Sequence, residues 1–140
     1  MDDGLLREDL CRFIEDNGLT HDISMPGFRS DFLNFMDAAD FLVHPSLTEA
    51  SNNVVKELGL LNKSVAVCRD VGDFNDYIVN GRNGFFLERG NLKDSVERII
   101  RGVYENQDDL TRIGAKLHED VIGLFGDSEK NRQRFVDLIN

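Results

Sequence analysis

Apolar positions along the chain follow two rhythms in turn. Leu6, Leu10, Phe13, Ile14 and Asn17 keep helical spacing over residues 5–17, and Gly18 is a natural stop. "DISM" is a short strand candidate closed by Pro26-Gly27. Ser30 is placed to cap a helix whose inner face holds Phe32, Leu33, Phe35 and Met36. "DFLVHPS" predicts a buried strand at Phe41–His44, ended by Pro45, which cannot continue a ladder. A helix follows from about Asn52 to Leu61, with Val54, Val55, Leu58 and Leu61 on its apolar face. "SVAVC" is a compact β run, "NDYIV" a short helix, "NGRNG" a turn and "FFL" a strand. The last third is helical. Asn91 can cap a helix carrying Leu92, Val96, Ile99, Ile100 and Val103. A second helix begins near Asp108, and a third near Asp127 or Ser128, with Phe135, Val136 and Ile139 apolar.

Short apolar strands thus alternate with amphipathic helices, and no hairpin signal joins two strands. That order predicts an α/β fold, a Rossmann-like parallel sheet with flanking helices. The chain has no internal repeat or Pro-rich linker. Residues 1–140 read as one domain, with C-terminal helices over about 91–140.

Composition narrows the function. The 140 residues are 41% hydrophobic, enough for a core, and no apolar run approaches the roughly 18 residues of a membrane span. The start, "MDDGLLRED", lacks the basic end and apolar stretch of a signal peptide, so a cytoplasmic location is expected. A formal charge of −10 disfavours nucleic acid and anionic lipid as partners, but not a local site for one phosphate group. Cys11 and Cys68 lie within apolar patterns and are expected to be buried free thiols. No Cys, His, Asp or Glu set has metal-ligand spacing, and no glycine-rich dinucleotide or ATP motif is present. His21 and His118 are expected on the surface, and His44 in a structural or peripheral place.

"TEASNNVVKELG" carries the chemistry. Glu49 and Glu57 are separated by seven residues, as are Glu97 and Glu105 in "VERIIRGVYE". Context separates the pairs. In open α/β sheets ligands bind beyond the C-terminal ends of strands. Glu49 follows such an end, and Ser51-Asn52-Asn53 then opens a helix whose free N–H groups favour a phosphate. From Asn52 to Glu57 is about 7.5 Å along the axis at 1.5 Å per residue. Helical side chains lean toward the N-terminus, so Glu57 can accept the hydroxyls of a ribose joined to a diphosphate there. Glu49, on the loop, can accept hydroxyls of an attached sugar. Glu97 and Glu105 have neither strand end nor phosphate turn and read as solvated charges.

"HPSLTE", the Glu-x7-Glu stretch, "KSVAVCRDVGDFNDYIVNGRNGFFL" and their order resemble the C-terminal half of the family 4 (group 1) retaining glycosyltransferases, which have the GT-B fold. The resemblance covers nearly the whole chain. It implies that Glu57 binds the ribose of a sugar nucleotide and that Glu49, the candidate catalytic residue, meets the donor sugar. Backbone amides near Ser51, Asn52 and Asn53 would hold the diphosphate, and Phe28 and Arg29 would line the nucleobase. It also implies a site that works without a metal or other cofactor. Ser51-Asn52, Lys56, Leu58 and Asp73 depart from commoner choices in the family, Asp73 taking the second place of a frequent Gly-Gly pair. The resemblance starts inside the domain, after its first strands. The expectation is therefore a fragment that lacks those strands and the N-terminal acceptor-binding domain, is inactive alone, and self-associates through an exposed strand edge. The alternative is a truncated, non-catalytic module that binds a nucleotide sugar or a protein.

Overall fold

The structure, a computed structural model, describes residues 4–126. The chain divides into two compact units, Met1–Phe35 and Met36–Asn140.

In the first unit, helix α1 (Arg7–Asp16) ends as the sequence predicts. Gly18 takes φ +67°, its N–H bonds to the Glu15 carbonyl, and the Leu19 N–H reaches back to Ile14. This double bond closes the last turn, and the positive φ favours glycine. The face is more open than expected: Ile14 is its one buried residue, and Leu6, Leu10 and Phe13 are exposed. "DISM" is not a strand. Residues 23–26 have no regular structure, and no strand among the described residues pairs with them. Side chains hold the segment instead. The Arg7 guanidinium donates to the Met25 carbonyl, and the Cys11 thiol touches the Met25 sulfur at 3.9 Å. Cys11 is accordingly half-buried rather than buried, whereas Cys68 is fully buried.

Helix α2 (Phe32–Ala38) starts after Asp31, whose carbonyl accepts from the Asn34 N–H, so Ser30 lies too early to cap it. Its expected inner face is not buried: Phe32, Leu33 and Phe35 are exposed, and Met36 alone of the four packs on the core of the second unit.

The second unit is the predicted layer of parallel strands and helices. Strands β1 (Phe41–His44), β2 (Ser64–Cys68) and β3 (Phe85–Leu87) are parallel in the order β1-β2-β3. Phe41 is level with Ser64, and Ala66 with Phe85. Helix α3 (Asn53–Leu60) connects the first pair, and the one-turn helix α4 (Phe74–Tyr77) lies between the second. All of β2 is buried, as befits a central strand, while β1 is an edge among the described residues.

A 3₁₀ turn (Arg89–Asn91) leads into α5 (Leu92–Glu105) and α6 (Gln107–Phe125). Asn91 does not cap α5 with its side-chain oxygen; its amide donates to Asp94. The helix expected near Asp127 lies outside the described residues. Helix α6 lies against α3 and β2. Leu117 and Val121 join Val55, Leu58, Val67, Phe74 and Leu87 in one core. His118 is half-buried there, its Nδ1 3.2 and 3.1 Å from the Gly59 and Leu60 carbonyls that end α3, so it is not the free surface residue expected.

Candidate functional site

The chain leaves β1 at His44 and turns at once. Pro45 blocks further pairing, and the turn carries Glu49 back beneath the strand end. The His44 ring packs edge-on against the buried Phe74 ring at 5.9 Å, which fixes its direction. Its Nε2 lies 2.9 Å from Glu49 Oε1 and 3.2 Å from Asn52 Nδ2. One ring nitrogen cannot serve both as donor and acceptor. Asn52 Oδ1 already accepts the Val55 N–H at 3.1 Å, so Asn52 Nδ2 is a donor. The shorter contact is then Nε2–H donating to Glu49. His44, then Ser46, and more weakly Asn52, hold the Glu49 carboxyl below its ordinary range against the opposing effect of burial. Glu49 is thus an anion of fixed direction at neutral pH.

The Val71-Gly72-Asp73 turn backs this loop. Gly72 takes φ +54°, and a Cβ there would meet the Glu49 Cβ at 3.0 Å and the Ala50 carbonyl at 3.1 Å. Asp73 then reaches across to Ser51, whose hydroxyl donates to Oδ2 at 2.9 Å. The Lys56 ammonium completes the set, 2.6 Å from the same oxygen and 2.5 Å from Ser51 Oγ. Burial raises the Asp73 pKa, but the bonds from Lys56 and Ser51 outweigh it and leave the carboxyl below its ordinary value. Burial, and then the Asp73 charge, push the nearby Tyr77 phenol up, so it stays neutral.

Asn52 is the N-cap of α3, in extended conformation. Its oxygen occupies the Val55 N–H, which leaves the amides of Asn53 and Val54 at the helix start without intrahelical acceptors. Glu57 sits half-buried on the edge of the helix and has no hydrogen-bond or ion-pair partner among the described residues. Glu49, Ser51, Asn52, Asn53 and Glu57 therefore share one strand-end turn and helix. By contrast Glu97 is exposed on α5 and pairs with Arg101.

Phe28 and Arg29 belong to the first unit. Phe28 is 79% exposed, a free aromatic face. Arg29 is engaged: it forks onto both Asp31 oxygens at 2.7 and 2.8 Å and lies 4.8 Å from the centre of the Phe35 ring. Sequence reading missed the grip of His44 on Glu49 and the meeting of Lys56 with Asp73. The first had a local signal, a histidine closing the strand five residues before the carboxylate. The second spans seventeen positions and had none. Among the described residues no three His, Cys, Asp or Glu side chains gather as a metal site, and no helix is long and apolar enough to cross a membrane.

Comparison with known proteins places this arrangement. The family described as "Glycosyl transferases group 1" matches residues 3–106. An uncharacterized glycosyltransferase of Methanocaldococcus jannaschii is 33% identical over 100 residues, 70% of this chain and 28% of its own. The poly(ribitol-phosphate) α-N-acetylglucosaminyltransferase of Staphylococcus aureus is 23% identical over 140 residues, 99% of this chain and 28% of its own. The chain thus spans little more than a quarter of the length of either relative. The fold is shared with the Anabaena HepE protein, crystallised in complex with UDP: TM-score 0.81 and 24% identity, over 94% of this chain and 36% of that one. These matches make the α/β layer part of a GT-B architecture, and the chain belongs to the group 1 glycosyl transferases.

Proposed function

We propose that the chain is the donor-binding part of a retaining family 4 glycosyltransferase that transfers a sugar from a nucleotide diphosphate sugar to an acceptor. One observation carries the reading. A carboxylate fixed by His44, a helix start with free amides and, on the edge of that helix, a carboxylate with no partner among the described residues follow one another along the chain, which supports a sugar, a diphosphate and a ribose bound in that order. Glu49 meets the donor sugar, the amides of Asn53 and Val54 with the Ser51-Asn52 turn hold the diphosphate, and Glu57 takes the ribose hydroxyls. Catalysis rests on positioning and on stabilising the leaving diphosphate, without a metal. The whole enzyme acts in the cytoplasm and contributes an acceptor-binding domain. The non-catalytic alternative is not favoured, since the relatives are named as transferases.

Calorimetric titration with UDP and UDP-sugars tests the donor site. Glu57→Ala weakens binding by about 2 kcal/mol, the value of charge-assisted hydrogen bonds; unchanged affinity removes the ribose role. In the whole enzyme Glu49→Gln depresses turnover by more than it weakens donor binding, because a sugar contact strengthens as charge develops. Glu97→Gln is the control and leaves both unchanged; equal damage from the control overturns the distinction between the two glutamate pairs.

A further inference from the structure

We propose that Lys56 and Asp73 form a charge pair that sets how strongly the turn before α3 holds a nucleoside diphosphate; the proposal rests on the donor-site reading above. The position of the pair is the first argument. Both groups contact Ser51 Oγ, and Ser51 directly precedes the cap Asn52. Their charges therefore lie at the helix start, not along its side. The sign of Asp73 is the second. A helix N-terminus offers about half a positive charge to an anion. A bare carboxylate at the same turn would cancel that attraction and repel a diphosphate. Lys56, 2.6 Å from Asp73 Oδ2, removes the repulsion.

The surroundings make this pair stronger than an exposed one. The Lys56 and Asp73 side chains are 15% and 22% exposed. The ammonium lies 4.6 Å from the centre of the Phe125 ring and 5.6 Å from that of Tyr77. Asp73 Oδ1 is buried with no partner among the described residues, so the carboxylate leans on Lys56 and Ser51 through its other oxygen. Aromatic walls and burial lower the local screening, and the charges act over a longer range than on an open surface.

A neutralised pair withholds both charges from the ligand, so breaking it in two ways gives opposite results. Asp73→Asn keeps an oxygen for Ser51 and Lys56 but frees a full positive charge at the turn. Lys56→Met keeps the stem across the rings and frees a full negative charge. A pair that served only as a strut between α3 and the Val71–Asp73 turn would lose affinity in both variants.

The test is calorimetry of wild type, Asp73→Asn, Lys56→Met and the double variant with UDP, GDP and ADP, and with the matching nucleosides, at low and high salt. Asp73→Asn is expected to bind a diphosphate about tenfold more tightly and Lys56→Met about tenfold more weakly, from one unit of charge several ångströms away. The double variant returns near wild type, nucleoside binding does not change, and the gain in Asp73→Asn shrinks with salt. Wild-type binding with both single variants weaker, or both unchanged, overturns the charge-pair proposal and leaves the donor site standing. Absence of diphosphate binding in wild type and in Asp73→Asn alike overturns the donor-site reading and the proposal with it. Asp73→Asn is close to isosteric and decides the sign by itself if Lys56→Met does not fold.

Discussion

Gly114→Ala lowers the melting temperature of this chain by about 10 °C, the effect of roughly 3 kcal/mol of overpacking on a domain of this size. Gly114 sits in α6 where that helix crosses the end of α3. A Cβ there would stand 2.0 Å from the Asn62 carbonyl oxygen and 2.7 Å from its carbon. These are backbone atoms, and they belong to a closed turn. Asn62 holds φ +59°, its N–H bonds to Gly59, and the Lys63 N–H bonds to Leu58. The next residue, Ser64, opens β2 and donates its hydroxyl to the Leu110 carbonyl of α6 at 2.6 Å. The added methyl must therefore lift α6 from the layer, and Leu117 and Val121 with it. Gly102→Ala is the contrast. It lies within α5 with nothing inside 4 Å of its Cβ, so replacing glycine stabilises by a few tenths to about 1 kcal/mol. Circular-dichroism melts of the two variants should move in opposite directions. A Gly114→Ala melt within a degree of wild type would show that the α6 crossing is loose.

What the sequence made legible follows from how local each cause is. The stop at Gly18, the end of β1 at Pro45, the helix opened by Ser51-Asn52-Asn53 and the "NGRNG" turn are each written within a few residues, and the structure has them. Short continuous apolar runs and period-3.6 patterns gave the three parallel strands and the helices between them for the same reason. The misreadings share a different cause. "DISM" has strand composition, but a strand exists only with a neighbour to pair with. Phe32, Leu33 and Phe35 are apolar at helical spacing, yet spacing does not say whether another layer covers the face. Asn91 and Ser30 are cap-type residues whose side chain or register was claimed otherwise. At the candidate site the chain order of Glu49, Ser51, Asn52, Asn53 and Glu57 was plain. Lys56 and Asp73 looked like two unrelated departures from a family pattern. Only the fold, by laying the turn after β2 against the turn after β1, makes them partners.

Asn83→Asp, a change of one atom, is expected to destabilise the chain by about 3 kcal/mol at neutral pH. Asn83 is fully buried, and every polar atom of its side chain is used. Oδ1 accepts the Val79 N–H at 2.6 Å. Nδ2 donates to the Tyr77 carbonyl at 2.7 Å and to Asp120 Oδ2 at 2.6 Å. The amide thus ties the turn after α4 to α6, with Arg82 on the other Asp120 oxygen at 2.8 Å. Aspartate keeps the acceptor and loses both donors. Its ionised form would also place a second buried carboxylate beside Asp120. Burial and the neighbouring charge both raise the pKa of the new acid in the folded state above its unfolded value of about 3.9. A raised acid penalises folding wherever it is ionised in the unfolded chain and must be protonated, or repelled, in the native one. The penalty is therefore full at high pH and shrinks as pH falls through the folded pKa, where the protonated carboxyl also regains one donor. Urea unfolding of variant and wild type, compared at each pH, should show the gap narrowing between neutrality and about pH 5. A gap that stays constant with pH would mean that the loss comes from shape and not from the buried charge, and the Asn83–Asp120 bond would then be worth little.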